Sequence, residues 1–207
     1  MKNQEHSGPL VEVYNAQSPQ EIAAHYDAWA GAYDKDMSQA GYRHPSVAVA
    51  LLARHLQTGA APILDAGAGT GLVGSWLEIL GYPTVDGLDI SKGMLEVAAA
   101  KGGYRNLHCL ALGNDLPFND GAYQGVISTG VFTTGHVGTE ALPELARITA
   151  SGGTLVITVK ETLWTENFAA AVADDDKLAL IAMTEPYVSM PEDAATAPSR
   201  AVVLQRA

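Results

Sequence analysis

A single cysteine, Cys109, occurs in 207 residues. One thiol cannot form an internal disulfide framework, and such sparing use fits a reducing compartment. Within a strand, Cys109 is expected to be a small buried hydrophobe. Basic residues are also scarce: 12 Lys and Arg stand against 23 Asp and Glu, a net charge of −11. A surface of that sign repels phosphate backbones, so no nucleic-acid partner is expected. No apolar run approaches the ~18 residues that a membrane span requires, which argues against a membrane partner. The opening stretch MKNQEHSGPLVEVYNAQ is polar and has no signal-peptide core, so the expectation is a soluble cytoplasmic protein. His6, His25, His44, His55 and His108 show no ligand-like spacing, and no metal is expected. No internal repeat is evident, and the one charge run, Asp174 to Asp176, reads as a solvated turn.

What is present is an ordinary folding composition. Hydrophobic residues reach 47%, with 21 Gly and 10 Pro for turns, which excludes disorder, collagen and coiled coil. A chain of this length suits one domain and can bury roughly 70% of its unfolded surface without staples. Ser18 followed by Pro19 reads as a helix start, with Ser18 as N-cap, and Gly41 interrupts the pattern. Residues 45–57 are helical by period, with Val47, Leu51, Leu52 and Leu56 on one face.

From residue 62 short apolar runs alternate with helical stretches. Ile63 to Ala66 is a buried strand ending in glycines. Leu72, Val73, Trp76, Leu77 and Leu80 mark a helix that Gly81 can close. Thr84 to Ile90 is the next strand, and Ser91 caps a helix carrying Met94, Leu95, Val97 and Ala98. Leu107 to Leu112 and Tyr123 to Ser128 read as strands three and four. Thr139 opens a helix bearing Leu142, Leu145 and Ile148, and a glycine turn leads into the strand Thr154 to Lys160. Five strands separated by helices predict a parallel, doubly wound sheet. A helix around Phe168 to Ala173, a strand within Leu178 to Tyr187 and a last strand Ala201 to Gln205 complete the reading, the final two paired antiparallel.

The most informative stretch is Leu64-Asp65-Ala66-Gly67-Ala68-Gly69-Thr70-Gly71. It follows a strand and opens a helix, so backbone can approach a ligand where side chains would clash. Asp89 ends the next strand and can accept both hydroxyls of a ribose. Gly69, Gly71 and Gly74 also spell G-x-G-x-x-G, so a dinucleotide site is a rival reading. Three observations oppose it. Gly67 already follows the strand, so Gly69 comes too late for a pyrophosphate turn. Asp65 suits a cationic amino-acid tail and repels a pyrophosphate. About sixty residues precede the first strand, whereas dinucleotide domains usually begin with it. The ligand that fits is S-adenosylmethionine.

At these residues the chain resembles the class I S-adenosylmethionine-dependent methyltransferases. The matching segments are His25-Tyr26-Asp27-Ala28-Trp29-Ala30 with Tyr33-Asp34, the glycine loop, Leu88-Asp89-Ile90-Ser91 with Met94-Leu95, Leu116-Pro117-Phe118 and Gly152-Gly153. Residues 131–138, VFTTGHVG, further resemble the methyltransferase-like group named after the Williams–Beuren chromosomal region. The resemblance implies an α/β fold with a seven-stranded sheet of order 3-2-1-4-5-7-6, its last strand antiparallel. It implies a single domain over residues 1–207: a helical lid over 1–57, a cofactor-binding core over 58–160, and a helix with a β-hairpin over 161–207. It places Asp65, Gly67, Ala68, Gly69, Thr70 and Gly71 at the methionine end and Asp89 on the ribose. Ile90 and Met94 would line the adenine, with Ser128, Thr129 and Gly130 beside the sulfonium. Tyr26 and Tyr33 would close the site. One departure stands out: the position that often carries an adenine-binding Asp is Leu112, followed by Gly113, so the adenine amino group must turn to backbone carbonyls, Asn114 or water.

Methyl transfer from a sulfonium needs alignment more than acid–base help. A base is required only for an acceptor protonated at neutral pH, and His136, just after the fourth strand in a Gly-rich loop, is the candidate. The plainer alternative is that His136 orders that loop. Tyr26, Trp29 and Tyr33, spaced by three and four, equally describe a core stripe. The expected activity is methylation of a small-molecule acceptor by a monomer or homodimer, yielding S-adenosylhomocysteine. A protein methyltransferase and a non-catalytic S-adenosylmethionine-binding partner protein are the alternatives.

Overall fold

Short apolar runs between glycine turns become the strands of one sheet. The structure, a computed structural model, describes residues 8–133 and 137–207. Three helices precede the sheet: α1 (Pro9–Asn15), α2 (Pro19–Ala40) and α3 (His44–His55). The Ser18 hydroxyl accepts the Glu21 N–H at 3.2 Å, and Gly41, at φ 69°, closes α2 in the left-handed conformation. This is the N-cap and stop that the sequence predicts. Helix α1 is an addition to that reading; it buries one residue, Val13, and so leaves almost no periodic signal.

The remaining elements are β1 (Ile63–Ala66), α4 (Gly74–Ile79), β2 (Val85–Asp89), α5 (Lys92–Lys101), β3 (Asn106–Cys109), β4 (Tyr123–Phe132), α6 (Leu142–Ile148) and β5 (Thr149–Lys160). A helical segment follows, α7 (Glu161–Leu163) and α8 (Ala169–Asp174) joined through a π-helical turn at Trp164–Phe168, and then β6 (Leu178–Met183) and β7 (Ser199–Arg206). The sheet order is β3-β2-β1-β4-β5-β7-β6, with β7 antiparallel to both neighbours and the other named pairs parallel. That is the expected fold.

Alternation sorts the strand residues onto two faces. Leu64, Val126, Leu155, Ile157, Val202 and Leu204 pack with α6 and the helical segment before β6. Ile63, Ile127, Val156 and Val203 pack with α3 and α4. A third, smaller cluster of Val13, Trp29, Met37 and Met190 lies under α1 and α2. At the amino-terminal end of β2, buried Asp86 accepts from Arg105 at 2.6 and 3.0 Å, from Asn106 at 3.0 Å and from Tyr123 at 3.2 Å. This tie joins β2, β3 and β4 at the end of the sheet remote from the glycine loop.

Two sequence expectations fail here. Cys109 is exposed rather than buried, because it ends a four-residue strand at the sheet's edge. Val73 and Leu77 are buried as predicted, yet Trp76 is 52% exposed and Leu80 lies at the surface. Residues 71–73 form turns, which leaves α4 only six residues. A helix that short covers a narrow stripe, and Leu80 already lies past its end.

Candidate active site

The carboxyl ends of β1, β2 and β4 meet under α2, around a cavity of about 170 Å³. Tyr26, Tyr33, Gly67, Gly69, Asp89, Ile90, Met94, Leu112, Thr129 and Gly130 all line it, as the sequence groups them. Asn114 and Leu110 stand beside Leu112 on the same wall. Ala68, Thr70, Gly71, Gly113 and Ser128 do not face the cavity. Ser128 is fully buried and donates its hydroxyl to the Ala66 carbonyl at 2.6 Å, tying β4 to β1. His136 lies outside the described residues.

The glycine loop is shaped by what it must pass. Gly67 has φ 86°, and a Cβ there would come within 2.2 Å of Val131, so only glycine fits between the two strand ends. Gly69 donates its N–H to Asp89 Oδ2 at 2.9 Å, while Ser91 N–H reaches Oδ1 at 2.8 Å. The loop and the β2 carboxylate are therefore one unit. Burial raises the Asp89 pKa and these backbone donors hold it back.

Asp65 behaves differently. It is fully buried and does not face the cavity. Its Oδ2 accepts from the Tyr104 hydroxyl at 2.6 Å, while its Oδ1 has no hydrogen-bond partner. Desolvation pushes its pKa up to about 7, opposed by the Tyr104 bond and reinforced by nearby Asp89. A buried carboxylate oxygen left unpaired is costly, and a cation is the partner it fits.

Tyr104 is the residue sequence reasoning missed. Its hydroxyl also accepts the Gly74 N–H at 3.1 Å. A Cβ on Gly74 would meet the ring at 2.5 Å. Gly74, the third glycine of the G-x-G-x-x-G pattern, thus makes room for a phenol and not for a pyrophosphate. The only linear hint is a tyrosine after the paired glycines Gly102-Gly103, too little to find it.

Helix α2 roofs the cavity through polar latches. Asp27 accepts from Ser91 Oγ at 2.6 Å and Gly93 N–H at 2.7 Å, capping α5 from across the gap. Asp34 accepts from Thr70 Oγ1 at 2.5 Å and pairs with Lys101. The aromatic stripe divides between core and cavity. Trp29 is buried in the small cluster, edge-on to Tyr33 with ring centres 4.8 Å apart, whereas Tyr26 and Tyr33 face the cavity. Burial raises the pKa of both phenols, which keeps them protonated.

A family model described as a methyltransferase domain matches residues 64–157. Human methyltransferase-like protein 27 is 37% identical over 172 residues, 81% of this chain and 70% of its own length. A TehB-like S-adenosylmethionine-dependent methyltransferase from Corynebacterium glutamicum superposes with a TM-score of 0.65 at 22% identity, covering 89% of this chain and 99% of that one. The [4+2]-cyclase SpnF gives 0.66 at 14% identity, covering 92% and 97%. Likeness at such identities speaks to the fold alone, and one fold hosts different chemistries. No helix among the described residues is long and apolar enough to cross a membrane.

Proposed function

We propose, because this chain belongs to the class I S-adenosylmethionine-dependent methyltransferases, that the cavity under α2 binds the donor and passes its methyl group to a small-molecule acceptor. The observation that carries this reading is the junction of Gly69 and Asp89 on one cavity wall. Each Asp89 oxygen accepts one backbone N–H and keeps a lone pair for a ribose hydroxyl. The orphaned Asp65 Oδ1 is an acceptor matched to an ammonium, but it is shut off from the cavity in this structure, so the donor reaches it only if the Gly67–Gly69 loop gives way at that end. Ile90 and Met94 supply apolar contact for adenine, with Asn114 available to its amino group in place of an acid at Leu112. The residues present fit the donor.

The bound donor supplies an electrophilic methyl on a sulfonium whose thioether leaves without protonation. The chain then has to align and to exclude water. Tyr26 and Tyr33 on α2, with Gly130 on β4, form the wall that the acceptor must meet. A general base enters only for an acceptor protonated at neutral pH, and His136 is the residue proposed for that role. A roof latched at Asp27 and Asp34 favours a compact acceptor over a protein chain. Incubation with methyl-tritiated donor and a metabolite extract tests this: label is expected in the small-molecule fraction, and label confined to protein, or none in either, contradicts it.

A further inference from the structure

A second chamber of about 40 Å³ opens beside the first, and Tyr26, Tyr33 and Gly130 line both. It sits between α2, the ends of β4 and β5, and the start of β7. The molecule carries a net charge of −11, yet no Asp or Glu lines this chamber among the described residues; its one charged side chain is Lys160.

Lys160 is the last residue of β5 and is buried. Its Nζ donates to the Ala197 carbonyl at 3.2 Å and forms no ion pair among the described residues. Directly across the antiparallel ladder stands Ser199. Opposed residues in such a pair project from the same face of the sheet, and both line the chamber. Ser199 is fully buried, and its Oγ has no hydrogen-bond partner. An ammonium that holds one carbonyl and no carboxylate within ion-pair distance and a hydroxyl with no hydrogen-bond partner therefore line the same chamber, each costly as it is.

The neighbours do not compete for an anion. Burial and the Lys160 charge push the His44 pKa down to about 3, so the imidazole stays neutral, and its Nδ1 pairs with the Tyr187 hydroxyl at 2.7 Å. Thr158 Oγ1 already accepts the Gly130 N–H at 2.8 Å. The Tyr42 hydroxyl lies over Gly130, where a Cβ would approach it to 2.2 Å. Desolvation lowers the Lys160 pKa against the opposing pull of the Asp193 charge, and an entering anion would add to that pull.

We infer that this chamber is the head-group subsite of the acceptor, where Lys160 and Ser199 hold the carboxylate of a small acid. The inference rests on the methyl-transfer reading of the adjoining cavity. One cation and one hydroxyl match a carboxylate monoanion, whereas a phosphate dianion would leave a charge uncompensated. The aromatic walls Tyr26, Tyr33 and Phe132 suit an apolar or aromatic body. An acid anchored there points the rest of its structure past Gly130 toward the donor cavity.

The test uses protein saturated with S-adenosylhomocysteine and four probes: acetate with acetamide, and benzoate with benzamide, titrated by ligand-observed NMR. At least one carboxylate is expected to bind tenfold or more tightly than its amide, and Lys160→Met is expected to erase that preference with S-adenosylhomocysteine affinity unchanged. Equal affinities within each pair, no binding of either acid, or a preference that survives Lys160→Met overturns the subsite. If Lys160→Met fails to fold, the acid–amide comparison in the unmutated protein decides alone. Failure of S-adenosylhomocysteine itself to bind would overturn the reading of the first cavity instead, and the two failures are distinguishable.

Discussion

Asp65 illustrates how one residue's surroundings determine what it can do. Burial raises its pKa to about 7 while Tyr104 holds only one of its oxygens. The ionised form is the one that accepts an ammonium. Below pH 7 a proton must first be released, so donor affinity is predicted to rise with pH between 6 and 8. The same shift has the opposite sign for the empty protein: a raised carboxyl pKa adds stability below the unfolded value near 4, and that contribution is lost as pH rises through about 7. Calorimetric titration of S-adenosylmethionine across this range, on the unmutated protein and on Asp65→Asn, checks the first half. A flat profile in the variant and a rising one in the unmutated chain are expected; parallel profiles contradict the role. Asp65 is legible in the sequence because it precedes a glycine loop. Tyr104, 39 residues later, is not, because the two meet only once β1, α4 and the loop before β3 are assembled.

At the scale of elements, α2 shows why a lid is hard to read from composition. Its aromatic residues lie among polar ones, which suggests a helix leaning on its ligand. The structure adds three hydrogen bonds that Asp27 and Asp34 accept from the core and the pair with Lys101. Hydrogen bonds to charged groups contribute about 1.5–3 kcal/mol each, so removing the α5 cap has a measurable effect. Asp27→Ala is predicted to speed amide exchange in residues 20–40 on the order of tenfold, while β1 and β5 keep their protection. S-Adenosylhomocysteine is predicted to slow exchange in that segment, since Tyr26 and Tyr33 face its cavity. Strong, equal protection with and without ligand, unchanged in the variant, would show α2 to be a fixed core helix. The strands were readable because each is a short apolar run; their ends were not. Strand β4 continues to Phe132 through an irregular stretch after Ser128, and β3 stops at Cys109 because its one partner, β2, ends opposite it at Asp89. In α4 periodicity misled, since Trp76 and Leu80 continue an apolar pattern that the short helix does not bury.

For the whole molecule, strand order and the antiparallel β7 followed from the resemblance, while β–α alternation alone implied only a parallel, doubly wound core. The cavity proposed for the donor is lined largely by residues that the linear motifs name, because one strand-to-helix turn and the end of the next strand build most of it. The chamber holding Lys160 and Ser199 was not, because it draws on α2, α3, β4, β5 and β7, and no motif spans them. The central claim is that Gly69 and Asp89 form a nucleoside-binding wall. Isothermal titration of S-adenosylhomocysteine and of NAD into the unmutated protein and Asp89→Ala tests it most directly. The account predicts S-adenosylhomocysteine binding in the micromolar range, no NAD binding, and at least tenfold weaker S-adenosylhomocysteine affinity in Asp89→Ala, whose ligand-free melting temperature also falls because the Gly69 and Ser91 N–H groups lose their acceptor. Tight NAD binding without S-adenosylhomocysteine binding, or full affinity retained in Asp89→Ala, would contradict it.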